Sequence, residues 1–240
     1  MKEIKDFDIW YKKVNKSDDE IEYLEFVWEL MKTPFTEYHY SLMINKNTNN
    51  EFNEILWSRF DEHEDAEIFL LNKLENNDDL KFVGKILFCL GKIADRKNSK
   101  QKNKIYEYVK KYTNNSNDNI RENAIIVLGW IGGVNDIDLL GNLLLNDKYN
   151  KCRAWSASAF MQIWFRKQNK VFADKVLPYF YESVKQEQDI FVIGNVINAL
   201  QEIIRKKFGL TQKTLNSLEV EKINLSKNKV IRYFEKLNQK

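Results

Sequence analysis

The stretch 120-IRENAIIVLGWIGGVNDIDLLGNLLLNDKYNKCRAWSASAFMQIW-164 decides how the whole chain is read. It holds two amphipathic segments of one design, Ile120 to Ile131 and Cys152 to Phe165, on either side of a short helical run, Ile137 to Leu145. The design recurs upstream and downstream. Phe82, Ile86, Cys89, Leu90 and Ile93 align with Ile120, Ala124, Val127, Leu128 and Ile131, which align with Cys152, Ser156, Ala159, Phe160 and Ile163. A fourth copy is Val192, Val196, Ala199, Leu200 and Ile203. On a 3.6-residue period, such positions fall within one arc of roughly 100°. The successive offsets of 38, 32 and 40 residues make this a repeated helical unit.

A neighbouring column argues for an open array over a closed bundle. Val83 and Leu87, Arg121 and Ile125, Arg153 and Ala157, and Ile193 and Ile197 widen the apolar arc on one flank. A helix buried both against its partner and against the next repeat needs that extra width. Helix pairs are expected at 64–74 with 80–94, 104–112 with 120–131, 137–145 with 152–165, and 172–184 with 190–207. Short polar links, such as 75-ENND-78, make neighbours antiparallel. A closing pair at 211–223 and 226–237 is expected to cap the array.

Ahead of the repeats, Phe7, Ile9, Trp10 and Val14 give an amphipathic turn or two. A helix after Ser17 carries Ile21, Leu24, Val27, Trp28 and Met31 at helical spacing and ends at Pro34, because the residue before a proline is pushed out of the helical region. Further helices are expected at 35–43 and 52–60. The sequence therefore divides into a helical N-terminal cap, 1–61, a repeat array, 62–207, and capping helices, 208–240, within one continuous domain.

Two prolines and eight glycines in 240 residues favour an all-α chain over a turn-rich β fold. No signal-peptide core and no run of roughly twenty apolar residues is present, so a cytoplasmic protein with no membrane partner is expected. Cys89 and Cys152 fall on apolar helix faces and read as buried free thiols. The net charge of +3 conceals a division. Residues 1–80 hold nine basic against twenty acidic side chains, and the remainder twenty-nine against fifteen, so the two parts carry −11 and +14.

The phrase IRENAIIVLGWIGGVNDIDLLGNLL, with Asp147 six residues before Arg153, resembles the HEAT-repeat superfamily, particularly its short bacterial variety also found in phycobilin lyases. That pattern places an Asp near the end of a first helix and an Arg early in the second. Asp147 and Arg153 match it fully, Asn115 and Arg121 match half, and Asn77/Val83 and Glu187/Ile193 do not. Pro178 stands where many such repeats carry a kinking proline. The likeness covers about residues 62–207. It implies a right-handed α-solenoid whose second helices line a concave, macromolecule-binding face.

On that face the wheel places Lys85, Lys92, Asn123, Trp130, Lys151, Trp155, Gln162 and Asn195 as candidate partner contacts. Interleaved aromatic, amide and lysine side chains suit a protein segment, and nucleic acid is the second option. The runs 96-RKNSKQKNK-104 and 205-RKK-207 are the densest positive segments. His39 and His63 have no metal-site spacing, and no nucleophile elbow, Walker loop or GxGxxG occurs, so no metal, cofactor or catalytic site is expected. Gly129, Gly132 and Gly133 read as a helix stop, and Asp136 and Asp138 as capping residues. The leading expectation is a non-enzymatic protein-binding module, acting as an adaptor, regulator or toxin-neutralising partner. The alternative is a DNA glycosylase resembling the DNA-alkylation-repeat type, with Trp130, Trp155 and Asp136 against duplex DNA. A lyase subunit or chaperone is a third possibility.

Overall fold

The computed structural model describes residues 2–76, 80–96 and 99–239. Among these every regular element is helical: α1 (Ile4–Val14), α2 (Glu20–Met31), α3 (Thr36–Ile44), α4 (Asn50–Arg59), α5 (Ala66–Glu75), α6 (Val83–Asp95) and α7 (Lys102–Tyr112). They continue as α8 (Asp118–Ile131), α9 (Ile137–Asn146), α10 (Asn150–Lys167), α11 (Lys170–Gln186), α12 (Ile190–Ile204), α13 (Gln212–Asn216) and α14 (Val220–Asn238). The link 75–78 and the run 96–104 fall partly on 77–79 and 97–98, outside the described residues. Two compact units result, Met1–Ile105 and Tyr106–Lys240.

In the C-terminal unit, α10 packs between α8 and α12, while α9, α11 and α14 follow one another against them. This is the stacking of helix pairs that the sequence pattern requires. Of the four aligned arcs, only Phe82, Ile120 and Ile131 are less than buried. The widening column behaves likewise: Val83, Leu87, Arg121, Ile125, Ala157, Ile193 and Ile197 are buried, and Arg153 half-buried.

Helix ends follow local chemistry. Asn117, Asn169 and Asp189 each accept backbone N–H groups at the starts of α8, α11 and α12, satisfying donors that have no intrahelical partner. The α8 stop falls on a glycine as expected, but without the left-handed conformation of the usual glycine cap. Gly132 ends the helix with extended backbone (φ −73°, ψ −175°), whereas Gly129 lies inside it. A Cβ on Gly129 would stand 3.0 Å from the Ala159 Cα, so this glycine exists for the close approach of α8 to α10.

The N-terminal unit is held by an aromatic core. Phe7 lies edge-on to Phe26, and Tyr23 stacks on Phe52 with ring centroids 5.0 Å apart. The expected stripe on α2 is corrected here. Its core residues are Tyr23, Phe26, Val27 and Leu30, while Ile21 and Trp28 are each 65% exposed. The apolar arc of this helix is broad, and its side bearing Tyr23 and Phe26 took the core while the side bearing Ile21 and Trp28 did not. Ile9 likewise is exposed, although α1 is a full helix.

The closing pair is also corrected. The first helix is the five-residue α13, and the second, α14, runs unbroken through Asn224. Ile223, Ser226, Val230 and Phe234 are its buried stripe. Helix α12 stops at Ile204, because Arg205 takes the left-handed conformation (φ 53°).

Candidate protein-binding surface

The expected contact residues divide between the two units. Lys85 and Lys92 sit on α6 of the N-terminal unit, and Asn123, Trp130, Lys151, Trp155, Gln162 and Asn195 sit on α8, α10 and α12 of the C-terminal unit. The lysines of α6 are taken up locally. Lys85 binds Glu54 at 2.8 Å and lies over the Trp57 ring, and Lys92 donates to Asp61 at 2.5 Å and to the Ser58 carbonyl. The Asp61 carboxylate is fully buried and receives Arg96 as well.

The basic run is therefore anchored at its first residue, Arg96, by a buried acid. Further along it, Glu67 accepts the Ser99 hydroxyl and the Lys100 and Gln101 main-chain amides, and Lys104 pairs with Glu75.

In the C-terminal unit, α8 and α10 bring several candidates together. Trp155 is half-buried and its indole donates to Glu122 on α8 at 3.0 Å. Gln162 packs over Gly129, and its buried side-chain carbonyl has no hydrogen-bond partner. Arg166 donates to the Gly132 carbonyl at 2.8 Å and to that of Gly129. Asn123 and Asn195 each donate back to the carbonyl four residues earlier, Asn119 and Phe191, at 2.8 Å. Trp130 is half-buried and Lys151 exposed.

The Asp147/Arg153 pair is not an ion pair. The Arg153 guanidinium donates to the Asp147 main-chain carbonyl at 2.9 Å and pairs with Glu187 at 2.7 Å. The Asp147 carboxylate instead receives Arg121, 26 residues earlier, at 2.7 and 2.9 Å. Each arginine thus clamps the link before its own helix and reaches the acid of the following repeat. Arg121 does so through the carbonyls of Asn115 and Ser116. Burial alone would raise the Asp147 and Glu187 carboxyls, but the arginine and backbone hydrogen bonds outweigh it and hold both below the ordinary carboxylate range.

A family model described as HEAT repeats matches residues 68–161. Residues 68–161 are HEAT repeats. The matched segment starts in α5 and ends in α10, and the Arg153–Glu187 pair carries the arginine–acid ladder of these HEAT units one step past it. Comparison with curated proteins and with solved structures gives no match.

Other reactive groups are held in structural roles. Asp136, the candidate acid of the glycosylase alternative, is 1% exposed, accepting the Tyr106 hydroxyl at 2.7 Å and the Gly133 amide at 2.8 Å. Asp138 accepts the Tyr179 hydroxyl rather than capping α9. Cys89 and Cys152 are free and buried, and burial pushes both thiols up to about 12.

His39 and His63, 24 residues apart, meet in the core, a contact without a sequence signal. The Leu56 carbonyl can only accept, so His39 donates to it through Nε2 and receives His63 Nε2 at its Nδ1, 2.9 Å away. Burial, with the facing His63, depresses His39 to about 3. Among the described residues no group of three metal-ligating side chains gathers, and no helix is long and apolar enough to cross a membrane.

Proposed function

We propose that this protein is a non-enzymatic protein-binding module whose contact surface is the flank of α8, α10 and α12 in the C-terminal unit. The observation that carries this reading is the HEAT match over 68–161, since HEAT repeats generally mediate protein interactions. The side chains of that flank support it. Trp155 is braced by Glu122 and therefore presents its ring with little rotamer freedom left to lose, the property of a good interface anchor. Asn195 and Asn198 add amides able to pair with a peptide backbone.

Lys85 and Lys92 drop out of the proposed surface because local acids already hold them. The protein then acts as an adaptor or regulator, a role that includes neutralising a toxin, and its partner is a protein. Capture from the native cell with the wild-type chain, Trp155→Ala and Lys85→Glu tests this. Trp155→Ala loses the partner and Lys85→Glu keeps it; a partner retained by Trp155→Ala rules this flank out.

A further inference from the structure

We propose that a cleft at the C-terminal ends of α10 and α12 receives an acidic segment of the partner that carries a bulky apolar side chain. This rests on the protein-binding reading above and specifies the partner's chemistry. The cleft encloses about 640 Å³, with Trp164, Phe165 and Asn198 among its walls and Arg205, Lys206 and Lys207 along its rim.

Charge gives the first argument. The three cations are exposed, and none has an ion-pair partner among the described residues. The only carboxylate in the lining is Glu202. Arg205 donates to the neutral Gln168 side-chain carbonyl at 2.9 Å, which fixes its position and leaves its charge uncompensated. Lys206 lies over the Tyr233 ring, 4.6 Å from its centroid.

The second argument is apolar. Phe165 is 52% exposed next to this charge, and carboxylates alone gain nothing from that ring, whereas a leucine or tryptophan between them does.

The third argument is rigidity. Gln168 and Arg205 both end their helices in the left-handed region. Beyond them the buried Gln201 ties the loop down, accepting the Phe208 and Leu210 amides and donating to the Leu210 carbonyl. A preset rim loses little entropy on binding.

Aromatic rings among cations also suit single-stranded nucleic acid. The neighbouring flank argues against it. Asn195 and Asn198 offer uncharged amides and Glu122 and Glu202 are acidic, so cations such as Lys151 do not run continuously along it as a nucleic-acid backbone requires.

The test is an anisotropy titration of a short fluorescein-labelled peptide of glutamates interrupted by leucine and tryptophan. The wild-type chain is expected to bind it, and Lys206→Glu/Lys207→Glu to weaken binding by roughly tenfold or more, about one decade in Kd. Lys206→Gln/Lys207→Gln should fall between, with unchanged thermal midpoints. Lys175→Glu, on α11, should bind as wild type. Replacing the peptide's leucine and tryptophan by serine should weaken it several-fold. The proposal is overturned if the wild type does not bind, if the charge reversal leaves binding unchanged, if the serine peptide binds equally, or if a thymidine oligonucleotide binds more tightly and displaces the peptide. Capture of the native partner separates the two levels. A partner lost by Trp155→Ala but kept by Lys206→Glu/Lys207→Glu removes the cleft alone, and one kept by both removes the wider reading too.

Discussion

The N-terminal unit and the end of the C-terminal unit treat their cations in opposite ways. Around α6, Lys85, Lys92 and Arg96 are each matched to a carboxylate, one of them the fully buried Asp61. Beyond α12, Arg205, Lys206 and Lys207 have no such match among the described residues. The sequence marks both segments as basic without separating them. Matched cations hold helices in register, and only unmatched ones retain a field that a partner can use.

The ladder of the C-terminal unit extends this contrast to stability, and its removal is expected to have the largest effect. Arg121→Ala leaves the Asp147 carboxylate, 4% exposed, without its cation. Breaking one partner of a buried pair costs about 3–5 kcal/mol, so denaturant unfolding should show a loss of that size. Lys92→Ala should cost less, because Arg96 still reaches Asp61.

Next in size is a pH effect confined to the N-terminal unit. His39 stays neutral in the fold down to about 3, while in the unfolded chain it takes up a proton near 6.5. Stability therefore falls as pH drops from about 6.5 toward 3, by a few kcal/mol, each pH unit in that window being worth roughly 1.4 kcal/mol. Protonation also places Nδ1–H of His39 against the Nε2–H of His63. Urea melts across this range should show the slope, and His39→Gln/His63→Gln should flatten its upper part, below which the depressed Asp147 and Glu187 carboxyls add their own loss.

Gly129→Ala comes third. The added methyl meets the Ala159 backbone at 3.0 Å, and overpacking of this kind costs about 1–3 kcal/mol. A lower thermal midpoint, with the α8–α10 flank disturbed, is expected. The smallest stability effect belongs to Lys206→Glu/Lys207→Glu, within about 0.5 kcal/mol of wild type as exposed substitutions usually are.

Much of the repeat architecture was legible because it rests on local periodicity. Seventeen of the twenty aligned apolar positions are buried. What escaped the sequence depends on how turns stack. Arg121 meets Asp147 and not its own repeat's Asn115 side chain, and His39 meets His63, because pairing across 24–26 residues is set by helix offset. On α2 the apolar arc spans more than half the helix, opposite Glu22, Glu25 and Glu29, so periodicity did not separate the core side, Tyr23 and Phe26, from the exposed Ile21 and Trp28. In the candidate surface, identity and helix face were readable for Trp155 and Asn195, but the neutralisation of Lys92 by Asp61 was not.

The most direct test is hydrogen exchange measured by mass spectrometry on the protein alone and with the partner captured from its native cell. Protection is predicted in peptides from 151–168 and 190–212, with 83–96 unchanged. Protection confined to 83–96, with no change along α10 and α12, would contradict the account.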